Sequence, residues 1–287
     1  MTSGLVDIIL PTQQRPHTLG YAIQAVIAQT HRCWRLHVVC DGCDERTEAV
    51  VRSFGDDRIA FCRFPKAPGY GYAHRNTVLR QTDGEFVAYA TDDDLWLSDH
   101  LATGIEALRS RELALVAFRS ALVAVPDRLD PHFFAYDWRT TAGTYWLLRW
   151  FVGAVECVHR RSVFDAVGYW NDQLFRFGDR EFHNRVRGSG VLTEYRDHIT
   201  VLRFYAAHWD RHYAALDKPP QSDYVVRVTE SAWRDEVRKA AQPGRRSVRT
   251  RLNQFRDFIQ FGVRSGPKFA RFWFQKWRYG NLSWSGE

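Results

Sequence analysis

The chain has 287 residues, of which 45% are hydrophobic and 15% aromatic, which is enough for one large α/β domain with a substantial core. It contains no run of about 20 apolar residues and no basic segment followed by an apolar stretch near its start, so neither a transmembrane helix nor a secretory signal is expected. The net charge is +7, but residues 243–287 hold ten basic and two acidic residues. Residues 1–242 therefore carry a net charge of −1, which argues against a general nucleic-acid-binding surface there.

Strands and helices alternate through the first 110 residues. Strands are predicted at 5–10, 34–39, 59–62 and 86–90, and helices at 19–29, 47–54, 72–80 and 99–109. Pro11 is expected to stop the first strand. This alternation predicts an α/β fold with a largely parallel, doubly wound sheet.

The remainder of the chain is less regular. A further strand is predicted within 113–125, an irregular aromatic segment at 131–143, and helices at 162–167 and 179–187. A break at 240–244 separates these elements from a C-terminal extension.

Five cysteines are present, at positions 33, 40, 43, 62 and 157. Their odd number and the absence of a framework spacing predict reduced thiols in a cytosolic protein. Cys40 and Cys43 form a single C-x-x-C, for which two partly buried thiols are favoured over a zinc or redox site.

Three consecutive aspartates, Asp92, Asp93 and Asp94, follow the fourth predicted strand. The carboxyl ends of parallel strands are where open α/β sheets bind ligands. Adjacent carboxylates repel one another, and their hard oxygens suit Mg²⁺ or Mn²⁺, which commonly brings substrate phosphates. The alternative is a solvated acidic turn that caps the next helix.

Polar residues also follow the first and second predicted strands, at 11–16 and at 41–42. In a parallel sheet these strand ends lie on the same edge as the aspartates. We therefore expect the three clusters to form one cleft large enough for a nucleotide.

The order of these motifs resembles that of the inverting family 2 glycosyltransferases of the GT-A fold. The matching segments are residues 6–16, 22–30, 36–43, 73–76 (which resembles A-x-R-N), 83–86, 92–94 (the D-x-D region), 158–161, 167–170 and 178–185. Together the similarity covers roughly residues 4–205. It implies a Rossmann-like GT-A domain over 1–242, with a nucleotide-binding half at about 1–98 and an acceptor-binding half at about 99–242.

Several residues depart from the family pattern. Gln13 and Gln14 replace the usual Tyr-Asn, and Cys40 and Cys43 replace the first acid and the serine of D-D-G-S. Gly178 stands where the glutamate of E-D is common.

The resemblance implies a single displacement at the anomeric carbon of a nucleotide-linked sugar. A general base must accept the proton of the attacking hydroxyl, and a divalent ion neutralises the departing diphosphate. It assigns Asp179 as the base, with Glu181 as the alternative base. The implied donor-binding residues are Pro11, Thr12, Arg15, Asp41, Arg75, Asn76 and Asp92. The implied ligands of Mn²⁺ or Mg²⁺ are Asp93 first, then Asp94 and His208, and the implied acceptor contacts are Trp138, Trp146 and Glu181.

Each of these assignments has a structural alternative. Asp179 could cap a helix, Asp41 could be a turn residue before glycine, and Glu181 could pair only with Arg185. The two tryptophans could belong to an ordinary core.

The C-terminal extension, 243–287, is basic, aromatic and amphipathic, with an apolar stripe at helical spacing. This pattern fits helices that lie on an anionic membrane surface. It fits equally well a helix docked on the catalytic domain or on a second copy of the chain.

The sequence therefore predicts a metal-dependent inverting glycosyltransferase that transfers a sugar from a UDP or dTDP donor to a glycan or lipid-linked acceptor. The expected location is cytoplasmic, with peripheral attachment to the inner face of the membrane. Alternatives are a non-catalytic nucleotide- or glycan-binding relative and a sugar-nucleotide nucleotidyltransferase. Residues 11–16 lack the glycines that the latter requires. Nucleic-acid binding through the basic extension is a further, weaker alternative.

Overall fold

The computed structural model describes residues 2–123, 153–176, 178–204 and 218–240. They belong to one compact unit, Met1–Ala241. A second unit, Gln242–Glu287, contains the predicted C-terminal extension and lies outside the described residues.

Eight strands and eight α-helices occur in the described part of the chain. The strands are β1 (Thr2–Thr12), β2 (Trp34–Asp41), β3 (Ile59–Phe64), β4 (Gly84–Tyr89), β5 (Leu95–Trp96), β6 (Leu115–Leu122), β7 (Cys157–Arg160) and β8 (Thr193–Arg203). The helices are α1 (Pro16–Ile27), α2 (Glu45–Arg52), α3 (Tyr72–Arg80), α4 (His100–Ser110), α5 (Val163–Val167), α6 (Gly178–Gly188), α7 (Gln221–Tyr224) and α8 (Ser231–Ala240).

The strands form one sheet in the order β3-β2-β1-β4-β7-β6-β8-β5. The pairs β2–β3, β1–β2, β1–β4 and β6–β8 are parallel, whereas β7 runs antiparallel to both neighbours and β5 runs antiparallel to β8. The largely parallel sheet expected from the sequence is thus confirmed.

The central strand β1 is buried on both faces. Val6, Ile8 and Leu10 contribute to one hydrophobic cluster, and Ile9 contributes to the cluster on the opposite face. Because successive side chains of a strand point to opposite faces, a strand covered on both sides needs a continuous apolar run, which this sequence supplies.

Pro11 does not end the first strand, contrary to the expectation from sequence. β1 continues through Thr12, which pairs with Cys40 of β2. The carbonyl of Ile9 points toward β4 and accepts a hydrogen bond from the N–H of Ala90. Backbone groups two residues apart in a strand point to the same neighbour, so the nitrogen of Pro11 also faces β4. The registered pairing with β4 ends at Ile9, so the missing N–H of the proline breaks no ladder bond.

Within the described ranges, no helix is long and apolar enough to cross a membrane.

Candidate active site

The ends of β1 and β4 meet through side-chain contacts. The hydroxyl of Thr12 donates to Asp92 Oδ2 at 2.8 Å. Nη1 of Arg15, three residues further on, lies 2.9 Å from Asp92 Oδ1 and 2.9 Å from Asp93 Oδ2. The parallel pairing of β1 with β4 therefore brings two of the three predicted polar clusters together.

Asp94 is held by hydrogen bonds on both oxygens. Its Oδ2 accepts from the hydroxyl of Thr91 at 2.9 Å, and its Oδ1 accepts from the backbone N–H of Phe204 at 3.0 Å. Arg203 Nε lies 3.6 Å from the same Oδ2. This carboxylate is thus fixed between the end of β4 and the end of β8.

The carboxylate of Asp93 accepts fewer hydrogen bonds from described residues than that of Asp94 does. Among the described residues, its side chain accepts one hydrogen bond, from Arg15, and its backbone carbonyl accepts from the amide of Gln221 at 2.8 Å. With fewer of its lone pairs used by described residues, Asp93 is favoured over Asp94 as the first ligand of a cation.

The environment of the triplet opposes ionisation of its outer members. Burial, together with the charge of Asp93, raises the pKa of Asp92 to about 6 and that of Asp94 to about 7. Arg15 and Arg203 act in the opposite direction. A divalent cation at this position would favour the ionised carboxylates.

Asp41, the last residue of β2, is bound to the segment that follows β3. Lys66 Nζ lies 2.5 Å from Asp41 Oδ2, and the backbone N–H of Ala67 donates to Oδ1 at 2.7 Å. His74 Nε2 is 3.5 Å from Oδ1. Sequence reasoning selected this carboxylate but missed Lys66, which belongs to none of the motifs.

Cys40 and Cys43 are paired as a disulfide that brackets Asp41, with Cα atoms 5.6 Å apart. The reduced state expected for these two cysteines is therefore not what the structure contains. Cys33, Cys62 and Cys157 are free thiols, as expected. The turn at Asp41-Gly42 brings the side chains of these two cysteines together.

Arg75, in the first turn of α3, is a partly buried cation. Its guanidinium carbon lies 4.8 Å from the centre of the Tyr72 ring and 5.8 Å from that of Trp170. Its Nε is buried and has no hydrogen-bond partner in the described part of the chain. Burial lowers the pKa of Arg75, while the charges of Asp179 and Asp41 act to raise it. The negative charges of both carboxylates thus act on Arg75 without a direct ion pair in the described part of the chain.

Asn76, predicted as a donor-binding residue, makes hydrogen bonds within the protein through both ends of its amide. Its Nδ2 donates to the carbonyl of Trp170 at 2.7 Å, and its Oδ1 accepts from the N–H of Trp170 at 3.0 Å. The side chain is 1% exposed. Its amide joins α3 to the segment before α6 and is used within the protein.

Asp179 lies in the first turn of α6, after Gly178, which is already helical. Its Oδ1 accepts from the backbone N–H of Arg180 at 2.9 Å. Gly178 is required here by Tyr72: a Cβ on residue 178 would lie 2.5 Å from Tyr72 Cζ, and the Tyr72 hydroxyl accepts from the N–H of Gly178 at 2.9 Å. The tyrosine ring thus fills the space that the glutamate common in this pattern would need.

Glu156 is a buried acid that sequence reasoning missed. It accepts hydrogen bonds from the hydroxyl of Ser120 and, at 2.7 Å, from the N–H of Gly153. Burial raises its pKa, and Arg203, whose Nη1 is 3.7 Å from Oε1, opposes this effect. A Cβ on Gly153 would lie 3.9 Å from Asp179 Oδ2. Glu156 therefore connects the surroundings of the aspartate triplet with those of Asp179.

Comparison with known proteins decides the family. The family model described as Glycosyl transferase family 2 matches residues 7–208, more than two thirds of the chain. The chain belongs to glycosyltransferase family 2.

One curated relative is the Escherichia coli protein named UDP-Glc:alpha-D-GlcNAc-diphosphoundecaprenol beta-1,3-glucosyltransferase WfgD. It is 32% identical over 116 residues, which is 40% of this family 2 chain and 46% of the relative. The chain thus spans less than half the length of that protein.

Two solved structures share the fold. The S. aureus TarS 1-349 complex with UDP-GlcNAc matches with a TM-score of 0.56 and 14% identity, over 82% of this chain and 71% of that one. The mannosyltransferase PcManGT from Pyrobaculum calidifontis, in complex with GDP-Man and Mn²⁺, matches with a TM-score of 0.52 and 14% identity, over 89% and 80%. The GT-A fold expected for a family 2 chain is confirmed.

A metal ion was expected at the triplet of this family 2 domain. The described residues contain no cluster of three or more His, Cys, Asp or Glu side chains arranged to hold a metal. The hard oxygens of Asp93 and Asp94 do suit Mn²⁺ or Mg²⁺, which binds through one or two carboxylates and takes its other ligands from substrate phosphates and water. The residues present therefore fit a metal that is bound together with a diphosphate.

The remaining predicted residues are distributed as follows. Pro11 pairs with Val39 within the sheet. Glu181 pairs with Arg185, whose Nε lies 2.7 Å from Glu181 Oε1. Trp138, Trp146 and His208 lie outside the described residues.

Proposed function

We propose that this family 2 protein transfers a sugar from a nucleotide diphosphate, UDP or dTDP, to a glycan or lipid-linked acceptor with inversion at the anomeric carbon. The observation that carries the proposal is Arg75, a cation whose buried Nε has no hydrogen-bond partner among the described residues and on which the charges of Asp41 and Asp179 act. A buried polar donor without a partner is costly, so a ligand anion is the natural partner for this side chain.

The donor would lie across the ends of β1, β2 and β4. Asp41 would accept from the N–H of a pyrimidine base, with Thr12 and Asp92 on the ribose side. Arg75 and Arg15 would contact the diphosphate, and guanidinium groups match phosphate oxygens in charge and geometry.

Asp93 and Asp94 would hold Mn²⁺ or Mg²⁺, which when bound neutralises charge on the departing diphosphate. Arg15 already contacts Asp92 and Asp93. This contact supports a role for Arg15 in neutralising the negative charge that accumulates on the diphosphate.

Asp179 would accept the proton of the attacking acceptor hydroxyl. The attack opposite the leaving diphosphate forms the new glycosidic bond in a single step, which inverts the anomeric configuration.

A lipid-linked acceptor is supported by the name of WfgD, which describes a sugar on diphosphoundecaprenol. The matched region is less than half of that protein, so the acceptor class is a proposal for this chain.

The test is a panel of nucleotide sugars incubated with Mn²⁺ and a GlcNAc diphosphate that carries an alkyl tail, scored for transfer and for hydrolysis. We expect one UDP- or dTDP-sugar to be consumed. Asp179→Asn should lower kcat by about 10² to 10⁴ and leave the affinity for the nucleotide unchanged. Nucleotide binding without any turnover in the wild type would favour a non-catalytic binding protein, and no binding with or without metal would contradict the proposal.

A further inference from the structure

Two exposed aromatic side chains lie next to each other beside the candidate active site. Large hydrophobic residues that are strongly exposed in the described part of the chain are Tyr70 (52%), Phe175 (64%), Leu192 (62%) and Val226 (67%). The rings of Tyr70 and Phe175 contact each other edge to face, with centroids 6.5 Å apart at 71°. Rings that pack together and still remain more than half exposed leave faces available to a ligand.

Arg176 adds a positive charge to this pair. Its guanidinium carbon lies 5.9 Å from the centre of the Tyr70 ring and 5.7 Å from that of Phe175. The combination offers apolar ring faces and a cation within one small area.

The pair is anchored to the groups that we assign to the reaction. Arg75 Nη2 donates to the carbonyl of Tyr70 at 2.9 Å, which ties this residue to the proposed diphosphate cation. Phe175 precedes Asp179 by four residues.

The two segments that carry the rings are packed closely. A Cβ on Gly69 would lie 3.0 Å from the carbonyl oxygen of Phe175 and 3.1 Å from its Cα, and Gly69 has a φ of +68°. A glycine is therefore required at this position for the approach. The backbone segments that carry the two rings are therefore close to each other.

We propose that Tyr70, Phe175 and Arg176 form the acceptor subsite, and that they bind a sugar diphosphate. The proposal rests on the function proposed above, because the acceptor hydroxyl must reach Asp179. The C–H face of a pyranose packs on aromatic rings, and a guanidinium pairs with phosphate oxygens. An acceptor that carries a sugar and a diphosphate uses both halves of the subsite, whereas a neutral glycan uses only the rings.

The experiment compares two probes on the full chain: GlcNAc diphosphate with a short alkyl tail, and the same alkyl GlcNAc without the diphosphate. Binding of each is measured by calorimetry with UDP and Mn²⁺ present, so the result does not depend on turnover. We expect Tyr70→Ala and Phe175→Ala each to weaken binding of both probes by about tenfold. Arg176→Gln should weaken only the binding of the diphosphate probe.

Matched controls are Leu192→Ala and Val226→Ala, which remove similarly exposed apolar side chains from loop and turn positions elsewhere in the chain. We expect them to leave the binding of both probes unchanged, and we expect all five variants to bind UDP as the wild type does. Unchanged probe binding in the Tyr70 and Phe175 variants, or failure of the wild type to bind either probe, overturns the subsite. Equal loss of UDP binding in these variants also overturns it, because the rings would then serve the donor. Failure of the proposed function is distinguished by the absence of UDP binding in the wild type.

Discussion

At the residue scale, the departures of this chain from its family pattern have physical causes in the structure. Residue 178 is a glycine because the ring of Tyr72 occupies the space that a side chain would need. Cys40 and Cys43, which stand where the family pattern has polar residues, are joined to each other. Neither change removes the carboxylates of Asp41 and Asp179, which are the groups that the proposed chemistry needs.

The contact of Thr12 with Asp92 was predictable from the sequence. Each residue lies at or after the carboxyl end of a parallel strand, and these ends meet at the same edge of the sheet. Glu156 and Arg203 were not predictable, because neither belongs to a motif and Arg203 comes next to Asp94 through the pairing of β5 with β8, two strands that the sequence did not predict. A buried acid carries no signal in the sequence until its partners are known.

Glu156→Gln tests the link between Glu156 and Asp94. Arg203 Nε lies 3.6 Å from Asp94 Oδ2, and Arg203 Nη1 lies 3.7 Å from Glu156 Oε1. Without the charge of Glu156, the guanidinium interacts more strongly with Asp94 and there competes with a bound cation. We expect the affinity for Mn²⁺, measured by electron paramagnetic resonance with UDP present, to fall by about fivefold. Ser120→Ala is the control, since it removes a hydrogen bond to Glu156 and keeps both charges. Equal Mn²⁺ affinity in the two variants would rule out this electrostatic link.

At the element scale, a helix or strand is predicted correctly where its apolar residues recur with a clear period. The helix predicted at 72–80 has the observed bounds of α3, whereas β5, β7 and β8 were missed. Only residues 199–202 of the 11-residue β8 are buried, so its outer part shows no apolar alternation. β5 contains two residues, which is too short for a periodic signal.

Gly178→Ala tests the packing of α6 against α3. The new Cβ would lie 2.5 Å from Tyr72 Cζ, so we expect the free energy of unfolding to fall by about 1–3 kcal/mol. The loss should be smaller in a Tyr72→Ala background, where the ring is absent, and a double-mutant cycle in denaturant measures the difference. Gly188→Ala on the same helix is the control: its Cβ would meet no atom within 4 Å, so it should be neutral or stabilising. Additive effects of the Gly178 and Tyr72 substitutions would show that the two residues do not interact.

At the scale of the whole molecule, buried histidines couple the fold to pH. His100 is fully buried, its Nδ1 lies 2.8 Å from the hydroxyl of Thr200, and its ring stacks on Trp96 with centroids 4.4 Å apart. Burial lowers the pKa of His100 to about 3. Between that value and the ordinary pKa near 6.5, the unfolded chain binds a proton that the folded protein does not, so stability decreases as the pH falls.

His100→Phe isolates this contribution because it keeps an aromatic ring against Trp96 and removes the titrating group. We expect the stability advantage of the wild type over the variant to decrease between pH 7 and pH 5. Near pH 5, the difference in free energy of unfolding between the two proteins should change by about 1.4 kcal/mol per pH unit. Chemical denaturation across this range provides the measurement, and parallel stability curves for the two proteins would show that His100 does not titrate between the two states.

The central claim for the whole molecule is that residues distant in sequence form one nucleotide-diphosphate site around Arg75. The most direct measurement is calorimetric titration of UDP and dTDP with Mn²⁺ into the wild type, Arg75→Ala and Arg80→Ala. Arg80 lies on the same helix and its guanidinium carbon is 4.8 Å from the Tyr169 ring, so it is a matched cation outside the proposed site. We expect at least one of the two nucleotides to bind, Arg75→Ala to weaken its binding by about tenfold or more, and Arg80→Ala to leave it unchanged. Equal affinity in the wild type and Arg75→Ala would show that Arg75 is not part of a nucleotide-diphosphate site.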